Sequence, residues 1–250
     1  MTTPRFHDGP DGRRLAYHLT PGRGPWIVFL GGLKSDMEGT KALHLEAWAR
    51  AEGRAFLRFD YSGHGQSSER FEDGSIGDWS QDTVAIIDAL TEGPVLPVGS
   101  SMGGWQALLL AKRRPERIIG MVTIAAAPDF TENGYWNSFS DEQKLKLQSE
   151  GRIALPSDYM DPYIITWRMI EDGRNQLVLQ SQLDLAFPVR CLQGTADTAV
   201  STETALQLLH HASCPDMRLM LVKDADHRFS DGPCLGIIED AVSEVLALVE

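Results

Sequence analysis

An α/β fold, with a mostly parallel central sheet covered by helices on both faces, is what this chain predicts, and three observations carry it. Short apolar runs alternate with segments of helical periodicity through most of the 250 residues, the pattern of parallel strands joined by crossover helices. Several of these runs are apolar throughout, as strands buried on both faces must be. The alternation breaks once, between Asp129 and about Phe187. That stretch is too polar to build a core of its own, so it reads as a small cap insertion, about 130–186, within a single domain spanning 1–250.

In chain order, residues 14–18 form an early strand, antiparallel to a shorter one near Phe6. A Pro- and Gly-rich turn at 21–25 leads into the apolar strand 26–30, which ends in Gly31 and Gly32. Thr40 is an N-cap candidate for a helix running through Trp48 and stopped by Gly53,. Strand 55–59 follows, then a loop dense in Gly and Ser at 60–68. The helix 75–91 carries Ile76, Trp79, Ile86, Ile87 and Leu90 on one face,. Strand 95–99 meets helix 102–114, apolar almost all round, and strand 118–127 comes next. Within the cap, Ser140 and Gln143 make a capping box, and residues 162–172 read as a short aromatic-rich helix,. The alternation resumes with strand 189–193, helix 201–210 and strand 217–222. A last helix repeats Ile238, Val242, Val245 and Val249 at intervals of four, three and four.

The chemistry is concentrated where strand 95–99 turns into its helix. Gly99, Ser101 and Gly103 form a Gly-x-Ser-x-Gly pentad in the strand–turn–helix context that gives such a pentad a mechanism,. A serine at the apex of so sharp a turn needs nearly side-chain-free neighbours two residues away on either side, which Gly99 and Gly103 provide. Ser100 lacks that flanking pattern and is a bystander. The Met102 N–H then opens the helix beside the place where an oxyanion would form.

A serine hydroxyl is a poor nucleophile until a base takes its proton, and the base needs an orienting acid. In open α/β sheets, sites form at the carboxyl ends of strands. Of seven histidines only His64 and His227 follow strands. His227, after the last strand, completes the order serine, acid, histidine, whereas His64 between two glycines reads as a loop-packing group. Asp197, after strand 189–193, is the candidate acid; its structural alternative is an N-cap for the helix beginning near Ser201, and Asp129 after strand 118–127 is its rival. The Gly31-Gly32 pair lets the backbone approach closely, making the Leu33 N–H the natural second oxyanion donor.

Composition narrows the partners. A formal net charge of −12 disfavours nucleic acid and anionic membranes,. Cys191, Cys214 and Cys234 are odd in number and lack metal-ligand spacing, which points to packing roles in a reducing compartment,. No metal or cofactor is implied. The first 20 residues lack a secretory or transit pattern, and no apolar run reaches membrane-spanning length,. A cytoplasmic protein is expected, monomer or dimer being open.

These pieces together resemble the α/β-hydrolase superfamily over essentially the whole chain: the pentad around Ser101, the loop 60–67, Gly194-Thr195-Ala196-Asp197 and Asp226-His227. More narrowly, residues 31–41 and 170–175 resemble a branch that includes mitochondrial acyl-protein thioesterases and acyl-glucuronide esterases, with bacterial homologues. The resemblance implies ester or thioester hydrolysis of a small-molecule acyl substrate beneath a small cap. A carbon–carbon bond hydrolase or perhydrolase could use the same three residues. A non-catalytic ligand-binding module on the same fold is the reading from another class. For the substrate, Gly32 and Trp105 near the serine, with Trp136, Tyr163 and Trp167 from the cap, are the candidate binding residues. Other cap side chains, Tyr135, Phe139, Tyr159, Met160, Ile164, Ile165 and Met169, are divided between pocket lining and packing of the cap onto the body.

Overall fold

The computed structural model describes residues 3–155 and 162–250. Strands β1 (Arg5–Asp8) and β2 (Arg14–Thr20) pair antiparallel and lead into β3 (Arg23–Leu30). Helix α1 (Thr40–Ala51), β4 (Arg54–Phe59), α2 (Ile76–Leu90), β5 (Val95–Ser100), α3 (Met102–Arg113) and β6 (Met121–Ile124) follow in alternation. The chain then leaves the sheet for α4 (Asp141–Glu150), the strands β7 (Arg152–Leu155) and β8 (Tyr163–Thr166), and α5 (Trp167–Asn175). It returns with β9 (Val189–Gly194), α6 (Thr202–His211), β10 (Met217–Val222) and α7 (Gly232–Val249).

The eight-stranded sheet runs in the order β1-β2-β4-β3-β5-β6-β9-β10, with every pair from β4 to β10 parallel. β5 and β9, each paired on both sides, are buried along their whole length. β5 is apolar as far as Ser100, whereas β9 buries Arg190 against Asp216 and Glu244 and Gln193 against Asp197,. Edge strand β10 alternates more and leaves Met220 and Leu221 exposed. Helix α3 is buried from Met102 to Ala111, because it crosses the middle of one sheet face beneath the cap. On the other face, α1 and α7 close over Ile27, Phe29, Leu96 and Val122.

The cap shares the main core. Phe139, Leu147, Ile153, Ile165, Met169 and Ile170 belong to the same buried cluster as Trp79, Trp105 and Leu108. The capping box at Ser140 and Gln143 forms with both reciprocal bonds.

Four expectations change. The segment 21–25 is largely strand, since β3 starts at Arg23 and pairs there with Arg54 before its register shifts. Gly39, rather than Thr40, precedes α1, and no side chain caps that helix. β6 is only Met121–Ile124, because Ala125 and Asp129 take left-handed φ values of 47° and 57° that turn the chain off the sheet. The helix expected over 162–172 starts at Trp167. Tyr163–Thr166, an aromatic and β-branched run, pairs antiparallel with β7, and the Thr166 hydroxyl caps α5 by accepting the Met169 N–H at 3.2 Å,.

Candidate active site

Ser101 stands between the end of β5 and the first turn of α3, at φ 55° and ψ −118°. That is a left-handed conformation no ordinary residue adopts without support. The support is close packing: a methyl on Gly103 would lie 2.0 Å from the Leu30 carbonyl oxygen, and one on Gly99 2.2 Å from that of Gly103. Backbone bonds fix the turn further. The Ser101 N–H donates to the Ile124 carbonyl at 2.9 Å, and the Ser101 carbonyl accepts the Ala127 N–H at 3.1 Å. Strain at one residue is thereby held by two strands and a helix.

Three loops at the carboxyl edge of the sheet converge on that serine. His227, after β10, places Nε2 3.1 Å from Ser101 Oγ and Nδ1 2.8 Å from Asp197 Oδ2. Asp197, after β9, has a fully buried side chain. Its Oδ1 accepts the N–H groups of Ala199 and Val200, both at 2.8 Å, and its Oδ2 also accepts Gln193 Nε2 at 3.0 Å. Burial alone would push this carboxyl up. The bond from His227 and those from the Val200 and Ala199 N–H groups outweigh it and hold the carboxyl below its usual range,. A carboxylate only accepts, so Nδ1 carries the proton and Nε2 turns its lone pair toward the serine hydroxyl. The relay can move a proton from hydroxyl to imidazole while the carboxylate stabilises the cation.

The loop after β3 completes the floor. A methyl on Gly32 would lie 3.4 Å from Ser101 Cβ, so this backbone passes directly beside the serine. Arg58 of β4 and Asp60 just after it pin the loop. Asp60 accepts the Met37 N–H at 2.6 Å and the Gln66 N–H at 2.8 Å, while Arg58 donates to the Met37 carbonyl at 2.9 Å. Burial pushes the Asp60 carboxyl up to about 6, although the Gln66 and Met37 bonds pull it down. Leu33 and Met102 both border the cleft, and the Met102 N–H, first in α3, has no intrahelical acceptor,.

The cleft above Ser101 has a volume of about 630 Å³. Its lining is apolar at Phe130, Tyr135 and Tyr163 and polar at Asp36, Lys41 and Arg228. Gly32 and Tyr163 line it as expected. Trp105, Trp136 and Trp167 do not. Trp105 is fully buried, donates from Nε1 to the Gln176 carbonyl at 3.0 Å and reaches the cleft through its edge contact with Phe130, 5.5 Å between centroids. Trp136 and Trp167 contact each other at 5.3 Å under the Arg174 guanidinium, a cation–π arrangement that packs the cap,. Tyr159 and Met160 lie outside the described residues. Phe130 was missed from sequence, although its position just after β6, at the carboxyl edge, was the available signal.

The rival residues have other partners. Asp129 accepts the Val178 and Leu179 N–H groups at 2.8 and 2.9 Å. His64 is buried among Tyr61, Phe71 and Trp79, with Nδ1 3.1 Å from the Ser62 carbonyl, and burial lowers it to about 4.

Comparison with known proteins gives a consistent set. The family model described as Hydrolase_4, serine aminopeptidase S33, matches residues 26–154. Palmitoyl-protein thioesterase ABHD10, mitochondrial, of Rattus norvegicus is 36% identical over 232 residues, covering 92% of this chain and 78% of that protein. The structure of alpha/beta hydrolase domain-containing protein 10 from mouse superposes with a TM-score of 0.92 at 30% identity over 100% of both chains. A putative hydrolase from Agrobacterium vitis S4 also gives a TM-score of 0.92, at 36% identity and 100% coverage of each chain. The rat relative's name places it in mitochondria, so the cytoplasmic location expected from sequence finds no support there. Among the described residues no helix is long and apolar enough to cross a membrane.

Proposed function

We propose a mechanism from one premise: the chain belongs to the α/β-hydrolase superfamily, in the group whose curated members are named palmitoyl-protein thioesterase ABHD10. It is an ester or thioester hydrolase, with Ser101 as nucleophile, His227 as general base and Asp197 as the acid that orients it. The observation that carries this reading is the unbroken relay of 3.1 and 2.8 Å from Ser101 through His227 to Asp197, set in the floor of a cleft.

Ser101 Oγ attacks the acyl carbon and its proton passes to His227 Nε2. The N–H groups of Met102 and Leu33 hold the oxyanion of the tetrahedral intermediate. Collapse expels the alcohol or thiol, which takes the proton back from the imidazolium, and leaves an acyl-enzyme on Ser101. Water, deprotonated by the same imidazole, then releases the acid.

The apolar part of the cleft lining, Phe130, Tyr135 and Tyr163, suits the acyl chain. A neutral chain of short to medium length fits that lining, because ligand clefts are mostly apolar with few placed polar groups. Thioesters enter because the ABHD10 relatives are named palmitoyl-protein thioesterases.

The test is labelling with a fluorophosphonate followed by peptide mapping, together with turnover of paired oxygen and sulfur esters. The adduct is expected on Ser101, and Ser101→Ala should lower kcat by on the order of 10⁶-fold with its fold intact. A folded Ser101→Ala variant that keeps near-wild-type turnover would remove Ser101 from the mechanism.

A further inference from the structure

Lys41 is the second residue of α1, and its Nζ donates to the carbonyl oxygen of Arg228, the residue after His227. The two meet across 187 positions of sequence, and both border the cleft. The loop they secure is strained. Within six residues Asp224 and Phe229 take φ values of 61° and 48°, a region that non-glycine residues keep only when their surroundings hold them there,.

On the side before His227, that loop is tied to the Asp197 loop. The Asp224 N–H donates to Thr195 Oγ1 at 2.9 Å, and the Ala225 carbonyl accepts the Ala196 N–H at 3.0 Å. On the side after His227, the fully buried Phe229 ring packs in the cluster that includes Ala42 and Leu45 of α1. Within the loop the Phe229 N–H is held by Asp226, at 3.1 Å from Oδ1 and 3.3 Å from the carbonyl oxygen. The Lys41 bond is different in kind, because it fastens the backbone one residue from the imidazole to α1, outside the loop.

We propose that Lys41 is a positioning residue, holding the loop after β10 so that His227 Nε2 stays within reach of the Ser101 hydroxyl. The proposal rests on His227 as the base. Burial lowers Lys41 to about 8, against the pull of Asp226 and with the push of Arg228. Ammonium and amine both donate to a carbonyl, so the tie survives its own titration. The titratable and charged groups around it are Asp226, Arg228 and the neutral Cys234 thiol, and Asp36 lines the same cleft. The imidazole itself borders that space.

The experiment compares Lys41→Met, Lys41→Arg and, as a control on the exposed face of α4, Lys146→Met, using a neutral p-nitrophenyl ester. Lys41→Met should lower kcat about 10-fold or more, because small misplacements of a reacting group are that costly. KM should stay within about twofold and the loss should be the same across the pH range. Lys41→Arg should recover most of it, and Lys146→Met should match wild type. The downfield proton resonance of His227 Nδ1–H should broaden or vanish in the Met variant alone. If Lys41→Met does not fold, Lys41→Gln, too short to reach Arg228, should show the same loss. Full kcat in a folded Met or Gln variant would overturn the tie. So would a raised KM at unchanged kcat, which marks substrate binding, or an alkaline fall in wild-type kcat near pH 8 that disappears in the Met variant. His227→Ala is assayed in parallel: an inactive His227→Ala beside a fully active Lys41→Met overturns the tie alone, whereas an active His227→Ala overturns both the base and the tie.

Discussion

Asp129 accepts the Val178 N–H at 2.8 Å across 49 residues of sequence, joining the turn that follows β6 to the point where the chain returns from the cap. Its other oxygen holds the Leu179 N–H at 2.9 Å, and the side chain is wholly buried. A carboxylate that follows a sheet strand is a natural candidate for a catalytic acid. Here both oxygens are occupied by the backbone of the cap's return, while Asp197 faces the imidazole.

Asp129→Asn and Asp197→Asn should therefore fail in different ways. An amide at position 129 sets an NH₂ against one of two N–H donors, which should cost about 1–3 kcal/mol of stability and change kcat less than about 10-fold. An amide at position 197 favours the wrong imidazole tautomer and should lower kcat on the order of 10⁴-fold with a smaller stability change. Urea titration and steady-state kinetics on both variants test this; a larger kcat loss in Asp129→Asn would reverse the assignment.

Asp60 should make stability depend on pH in the direction opposite to an ordinary paired carboxylate. Burial raises its folded-state value to about 6, so the folded protein binds the proton more tightly than the unfolded chain does. Its contribution is fully present below the unfolded range near 4 and is lost as pH rises to about 6. The stability of wild type relative to Asp60→Asn should accordingly grow as pH falls from 7 to about 4, measured by urea midpoints. A gap that shrinks over that range would mean the two N–H bonds dominate and the carboxylate form is the favoured one.

Gly103 and Gly236 offer a contrast in glycine-to-alanine substitution. At Gly103 the new methyl meets the Leu30 carbonyl oxygen at 2.0 Å, which neither β3 nor α3 can relieve by turning a side chain. A loss of roughly 3 kcal/mol or more is expected, with activity falling as the serine turn shifts. At Gly236, inside α7, nothing lies within 4 Å of the added methyl. Alanine there should stabilise the protein by about 0.5–1 kcal/mol through helix propensity. Thermal denaturation of the two variants tests the pair, and similar melting temperatures would contradict it.

Acyl preference should follow the apolar part of the cleft lining. In a p-nitrophenyl ester series kcat/KM is expected to climb by about 0.8 kcal/mol of transition-state binding per buried methylene and then fall once the cleft is full. Phe130→Ala should move that maximum to a longer chain, since Phe130 lines the cleft between Trp105 and Tyr135. Trp136→Ala, on the Arg174 stack outside the cleft, should leave the maximum where it is. A steady decline from acetate onward would show that the acyl group binds elsewhere.

The features legible in the sequence were those set by local chemistry. Alternating apolar runs and helical stripes marked the parallel sheet, because burial on both faces forces strands to be continuously apolar. The pentad marked Ser101, because only glycine tolerates contacts as close as those of Gly99 and Gly103. Chain order marked Asp197 and His227, because both follow strands and so reach the same edge of the sheet. What the tertiary structure alone decided concerns where side chains point and what they meet. Trp105, Trp136 and Trp167 have the composition of a binding wall but face other cap and core groups. Tyr163–Thr166 became a strand because β7 was there to pair with it. The bond from Lys41 to Arg228 and the grip of Asp129 on Val178 join segments 187 and 49 positions apart, and no local pattern encodes which distant backbone group a charged side chain will find.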